Sequence, residues 1–323
     1  MKNKLLYKLR SGKNPKFIYY GVNVFRQFVP KCFFRMRLQK KLAALSDRKD
    51  CDYIKKRVDY YNKLSGKVCL PSSAPTLGEH KMTGQKVYYF DTYQYTRWFP
   101  DRFRWGFCPG DVTYVPEYPS IVKSRPLTDD NANSVVMKLD KVRHFIFVKD
   151  RKAFTEKKDM VIFRGKVRGK PTRKQFMEMY FHHPMCDLGD VSKHTKDPKE
   201  WQTEKKTIRE HLDYKFIMAL EGVDVASNLK WVMSSNSIAV MPRPTCETWF
   251  MEGTLIPNYH YIEIRPDFSD LEERLRYYIE HVDEALQIIE HAHEYVAQFR
   301  DRKREDLISL LVLDKYFKLT NPC

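Results

Sequence analysis

Phe163–Lys170 reads FRGKVRGK, which puts Arg164, Lys166, Arg168 and Lys170 into one short stretch broken by Gly165 and Gly169. Cations interspersed with glycines suit a diphosphate, although taken alone the stretch fits an exposed basic turn better. The glycines let the backbone turn tightly, and the side chains neutralise phosphate oxygens. Arg173 is close behind in the chain. A second candidate is the small-residue loop Gly222-Val223-Asp224-Val225-Ala226-Ser227-Asn228, with Lys230 just behind it. If that loop opens a helix, the free N–H groups and the helix dipole favour an anion there. It is not a GxGxxG fingerprint, and the bare pattern fits an ordinary turn equally well.

Three carboxylates are candidates for chemistry. Glu247, with Glu252, flanks Trp249-Phe250 just after an apolar run, where it could accept hydrogen bonds from ribose hydroxyls. It fits an acid at a helix N-terminus equally well. Asp91 comes after the apolar run Val87–Phe90 and opens a segment of aromatics and arginines, a position for a general base toward an acceptor hydroxyl. Asp111, in Gly110-Asp111-Val112-Thr113-Tyr114, is its rival, and both also fit turn or cap residues. A metal centre is not expected. His182-His183, His291 and His293 lack completing ligands at suitable spacing. No Asp-x-Asp pair stands at a strand end, and Asp129-Asp130 falls in a polar loop. Walker A, GxSxG and protein-kinase motifs are absent from the sequence.

The elements that must position these residues alternate. Tyr214–Leu220 reads as a strand, Leu229–Met233 as a helix and Ile238–Met241 as a strand. Glu247–Gly253 reads as a short helix and Tyr259–Ile264 as a third strand. Such alternation predicts a parallel sheet with helical crossovers, its ligands beyond the carboxyl ends of the strands. Further strands are expected at Val87–Phe90, His144–Val148 and Met160–Phe163. Helical periodicity runs from Leu271 to Phe299 and again from Arg302 to Leu319. Residues 97–131 are dense in Pro, Asp, Trp and Arg, as a long functional loop region would be.

Composition excludes a disordered chain: 42% of the 323 residues are hydrophobic and 14% aromatic. Seven scattered cysteines without a CxxC argue against a disulfide scaffold and favour a reducing compartment. The net charge of +17 is concentrated at the N-terminus. Residues 1–57 hold 17 Lys and Arg against 3 Asp, while the remainder is nearly balanced at 41 against 38. In this arm Phe17, Tyr19, Tyr20, Phe25, Phe28, Phe33 and Phe34 interleave with Lys16, Arg26, Lys31, Arg35 and Arg37. Arg26 and Pro30 interrupt any membrane-spanning run. The arm fits an anionic membrane surface or an acidic glycolipid, or a basic helix that packs its aromatics on the body. No base-reading motif accompanies the charge, so nucleic acid is not expected. The expected organisation is a basic aromatic arm at 1–57, an acceptor-side α/β domain at 58–150, a nucleotide-sugar domain at 151–300 and a closing helix at 301–323.

FRGKVRGKPTR (163–173), YKFIMALEGVDVASNLKW (214–231), SNSIAVMPRPTCETWF (235–250) and YHYIEIRPDFSDLEERL (259–275) together resemble glycosyltransferase family 90. That family includes fungal capsule-associated xylosyltransferases, protein O-glucosyltransferases and bacterial lipopolysaccharide-modifying enzymes, and the last group is the most similar. The resemblance implies a GT-B architecture, two Rossmann-like domains facing across a cleft with a C-terminal helix returning to the first. It implies metal-independent, inverting transfer from a UDP-sugar to a hydroxyl of lipopolysaccharide or a related glycan. The enzyme would sit at the inner face of the cytoplasmic membrane. It assigns nucleotide-sugar contacts to Arg164–Arg168 and to Gly222–Asn228. Animal relatives carry an arginine near the end of the second loop, where this chain has Asn228. Diphosphate neutralisation would then fall to Arg164, Arg168 or Lys230. The catalytic Asp of the family lies in the N-terminal half after a strand, and Asp91 is its positional match. The alternative is a non-catalytic basic protein that docks on membrane or nucleic acid.

Overall fold

The computed structural model describes residues 11–82 and 84–321. The chain divides into two compact units. One holds Pro15–Val142, Thr245–Gly253 and the segment from Phe299 onward. The other holds Arg143–Pro244 and Thr254–Gln298, with the short segment before Pro15.

The first unit begins with α1 (Lys16–Gln27), α2 (Lys31–Ala43), α3 (Cys51–Tyr61) and α4 (Lys86–Thr96). Short strands come next: β1 (Gly106–Cys108), β2 (Ser120–Val122), β3 (Ser124–Pro126) and β4 (Ser134–Val136). β1, β2 and β4 form a parallel sheet in that order. Gly106 is obligatory, because a Cβ there would lie 2.2 Å from Ser120 Oγ. The strand expected at Val87–Phe90 is instead the middle of α4. The buried positions Tyr88, Asp91, Thr92, Tyr95 and Thr96 repeat at helical spacing. Four apolar residues are too few to show which period they belong to.

The second unit is a five-stranded parallel sheet. It is built from β5 (Lys158–Gly165), then α5 (Pro171–Tyr180), β6 (Cys186–Asp190), β7 (Tyr214–Met218) and β8 (Ile238–Met241). The chain then contributes β9 (Cys246–Thr248), which pairs antiparallel with β3 in the first unit. It returns for β10 (Ile262–Glu263), α6 (Leu271–Glu280) and α7 (Val282–Ala297), and ends with α8 (Arg302–Thr320), packed on α3 of the first unit. Sheet order is β10-β8-β7-β5-β6. Val161, Phe163, Phe216, Met218, Ile238 and Val240 alternate along three strands and pack on Phe176 of α5 and on Leu271 and Leu275 of α6. The intervening Ile162, Ile217, Ala239 and Met241 are buried too. Both faces are therefore covered, which is why β8 reads as an unbroken apolar run and β7 as an apolar run broken only by Lys215, which pairs with Asp159.

Two further expectations fail in instructive ways. No strand forms at His144–Val148. Lys141–His144 is a helical turn, and the backbone beyond it bonds to side chains instead of a neighbouring strand. Val148 N–H donates to Ser234 Oγ at 2.9 Å, and Phe145 C=O accepts from the Asn14 amide at 3.2 Å. The helix expected at Glu247–Gly253 is β9 and a single 3-10 turn at Glu252–Thr254. Glu252 folds back to accept from Thr248 N–H at 2.6 Å, which closes a loop rather than a helix. The helical pattern expected from Leu271 to Phe299 is present as the two helices α6 and α7, which meet at His281, whose backbone leaves the helical region.

Charges are buried in the first unit. Arg57 bonds Glu305 at 2.6 Å, and the other oxygen of Glu305 accepts from Trp249 Nε1 at 2.6 Å and Lys138 Nζ at 3.1 Å. Tyr61 stacks on Trp249 at 3.9 Å. Arg125 faces Glu247 across the β3–β9 pair, Nε to Oε1 at 2.7 Å.

Candidate functional site

In the second unit the chain enters at β5, moves outward to β6, then crosses back to β7 on the other flank of β5 and continues to β8 and β10. Direction reverses between β5 and β7. In open parallel sheets the connections leave opposite ways at such a point, and a crevice opens beyond the strand ends. The two loops singled out in the sequence, after β5 and after β7, flank this point.

Arg173 holds the two loops together. Its Nε donates to Glu221 C=O at 3.0 Å and its Nη2 to Leu220 C=O at 2.7 Å, both after β7. Its Nη1 donates to Lys166 C=O at 3.0 Å, after β5. Gly222 lies beneath the guanidinium, where a Cβ would come within 3.2 Å of Nη2. Arg173 is thus a clasp on three backbone carbonyls, and burial lowers its pKa.

Other candidates are also engaged. Arg164 donates to the Asp187 carbonyl at 2.8 Å and pairs with the Asp187 carboxylate, which Tyr214 also contacts. The N–H groups of Val167 and Arg168 are taken by Ser192 Oγ at 3.0 and 3.2 Å. Lys230 is fully buried in the single turn Leu229–Val232. Asn228 donates its amide to Met218 C=O at 3.0 Å, tying the loop to the end of β7. Asp224, Val225 and Ala226 are buried, while Val223 and Ser227 are exposed. Gly165 is crowded, since a Cβ would meet Phe163 Cζ at 2.4 Å. Lys166 and Arg168 remain exposed. They stand beside the start of α5, where Pro171 occupies the first turn and no side chain caps the helix.

More cations border the same edge than the sequence pattern singles out. Lys193 and Lys196 come after β6, Arg243 after β8 and Arg265 after β10, all exposed. Each stands alone in sequence, and its position just past a strand end is the signal that could have found it. Parallel strands bring the four to one edge together with Lys166 and Arg168.

In the first unit Asp111 comes after β1, directly behind Gly110, whose φ is 109°. Its side chain is 29% exposed. It pairs with Lys123, the residue after β2, and accepts from Tyr88 OH at 3.3 Å. Asp91 lies within α4 and its side chain is only 1% exposed. Its Oδ1 accepts from Tyr19 OH at 2.8 Å and faces Lys141 Nζ at 3.3 Å, and its Oδ2 accepts Lys141 N–H at 2.9 Å. Burial, then the Asp91 charge, raises the Tyr19 pKa; burial lowers that of Lys141. Glu247 belongs to the first unit and is buried, with Arg125 on one oxygen and Tyr60 OH on the other. Among the described residues no group of three or more His, Cys, Asp or Glu is arranged to hold a metal ion, and no helix is long and apolar enough to cross a membrane.

The second unit is thus a Rossmann-like parallel α/β structure with a cation-bordered carboxyl edge. The family model for glycosyl transferase family 90 matches residues 131–321. An O-glucosyltransferase, LpsA, of Dichelobacter nodosus is 41% identical over 270 residues, covering 83% of this chain and 84% of that protein. The chain belongs to glycosyltransferase family 90 and is a glycosyltransferase.

Proposed function

We propose that this enzyme moves a sugar from a UDP-sugar to a hydroxyl of lipopolysaccharide or a related cell-surface glycan, with inversion and without a metal, in a GT-B architecture. The second unit would take the nucleotide and the first the acceptor. The observation that carries the donor half is the reversal of strand order between β5 and β7, with both loops clasped by Arg173 beside a border of exposed cations. The name of the Dichelobacter relative supports glucose as the sugar and oxygen as the acceptor atom.

The diphosphate lies against Lys166, Arg168 and the start of α5, while Arg164, Arg173 and Asn228 shape the loops. Asp111 is the general base, favoured over Asp91 by its exposure and by its place at the carboxyl end of a parallel strand. Asp111 takes the proton of the acceptor hydroxyl as its oxygen bonds to the anomeric carbon. The bond from that carbon to the UDP oxygen breaks on the opposite face, through an oxocarbenium-like state. Cations at the sheet edge balance the charge growing on UDP. The basic arm supports a peripheral position on the inner face of the cytoplasmic membrane.

UDP and UDP-glucose should raise the melting temperature in the presence of EDTA. No shift with any UDP-sugar, from a protein with an intact unfolding transition, rejects the donor assignment. Arg168→Ala should weaken UDP affinity about tenfold, as expected for one charge-assisted contact.

A further inference from the structure

α1 is amphipathic the wrong way round for a helix that packs on a protein. Its polar face is the one that docks. Tyr19 OH reaches Asp91 at 2.8 Å, Arg26 donates to Gln94 at 2.9 Å, and Asn23 is buried. Both inter-helix bonds are made with α4. At about 100° per residue, Val24, Phe17, Phe28, Gly21, Phe25, Ile18 and Val22 occupy one arc of roughly 160°, with no polar side chain among them. That arc faces outward: Phe17 and Phe28 are 79% exposed and Phe25 is 71% exposed. α2 extends the surface with Phe33 and Met36, the latter 72% exposed, interleaved with the exposed Arg37 and Lys40. Its inner side is anchored by Phe34 on Trp98 and by Lys31 and Arg35 on Asp101.

The geometry points to insertion of this surface into an anionic phospholipid bilayer, with Phe17, Phe25 and Phe28 below the headgroups and Lys16, Arg37 and Lys40 among the phosphates. Charge complementarity selects this occupant. Neither α1 nor α2 contains an Asp or Glu, so the border these helices give the apolar face is cationic. Two copies placed face to face would repel. A nucleic acid would meet phenylalanines at the centre of the patch rather than cations. An apolar face and a cationic border are the two signals a stable interfacial helix needs. The inference deepens the proposed membrane position and adds a consequence for catalysis, which rests on the proposed enzyme function. α4, on which α1 sits, also carries Tyr88, the residue that bonds Asp111. The inserted arm therefore holds the candidate base beside the surface where a lipid-linked acceptor is anchored.

The test is co-sedimentation of the full chain with vesicles of phosphatidylglycerol and phosphatidylcholine, or of phosphatidylcholine alone. Wild type should bind the anionic vesicles and lose binding as salt rises. Phe17→Asp/Phe25→Asp/Phe28→Asp should bind at least about tenfold more weakly, with an unchanged melting temperature because these side chains contact solvent. Turnover on a water-soluble acceptor should be unaffected in this variant, and turnover on acceptor embedded in vesicles should fall. Wild type that ignores anionic vesicles, or a variant that binds them as well as wild type, overturns the inference. So does a wild-type dimer that the variant dissolves without any change in vesicle binding. Tight duplex RNA binding that displaces the vesicles and survives the variant also overturns it. If vesicle binding fails while soluble transfer persists, only this inference falls.

Discussion

At the scale of single residues, two aspartates separate in a way that mutation can read. Asp111→Asn should keep UDP affinity and lower turnover by roughly 100- to 10,000-fold, the range for loss of a general base. Asp91→Asn should instead lower stability by about 1 to 3 kcal/mol, because it weakens a buried network with Tyr19 and Lys141. Folded Asp91→Asn protein should retain most of its turnover, and steady-state kinetics beside urea unfolding separate the two outcomes. Two histidines tie stability to pH. His80, buried and then opposed by Lys31, titrates down at about 4, and so does His260, buried and then opposed by His291. Their ordinary value is 6.5. Between 6.5 and 4 the unfolded chain binds protons that the folded chain refuses, so stability falls as pH drops through that window. The loss is on the order of 2 kcal/mol per histidine. Urea unfolding at pH 7 and pH 4.5 measures it, and His80→Gln should flatten the slope. Asp50, held down at about 2 by Arg48, adds stability that is fully present above the ordinary carboxylate value of 3.8 and is lost only as pH falls from there toward 2.

At the scale of elements, the central strands are legible because burial on both faces writes β8 as a continuous apolar run and β7 as a run interrupted only by Lys215. The FRGKVRGK turn is legible because its cations are adjacent in sequence. The illegible features are those assembled by the tertiary fold. Val87–Phe90 shows no period until its neighbours are placed, and Asp91 is therefore expected at a strand end that does not exist. Arg173 reads as one more phosphate ligand, yet its three bonds join two loops 47 and 48 residues away in sequence on one side and 7 on the other. Arg173→Met should remove these bonds and cost about 1 to 3 kcal/mol. It should also weaken UDP binding through displaced loops, by more than Arg168→Ala does. Calorimetric titration with UDP compares the two variants, and equal affinity for wild type and Arg173→Met would refute the clasp. Glu247, which by sequence fits a ribose contact and a helix N-terminal acid equally well, is the cross-strand partner of Arg125, so Glu247→Gln should lower the melting temperature and leave the donor KM unchanged.

At the scale of the whole molecule, the first unit is built from three separated pieces of chain. Glu305, on the last helix, holds Arg57 from α3, Trp249 from the short middle segment and Lys138 from the segment after β4. Glu305→Ala should strip a buried arginine of its countercharge and cost about 3 to 5 kcal/mol, and chemical unfolding monitored by circular dichroism would register it. This stitching also sets an order of assembly on the ribosome. The sheet of the second unit has all its strands once β10 is made, and α6 and α7 complete it before α8 is translated. The first unit, though its sequence emerges earliest, waits for Glu305 and Tyr316 to arrive with the final helix. Nascent chains stalled short of α8 should therefore protect the later-made unit from proteolysis while the earlier-made one stays open, with α1 showing its bare phenylalanines to a chaperone or a bilayer in the meantime.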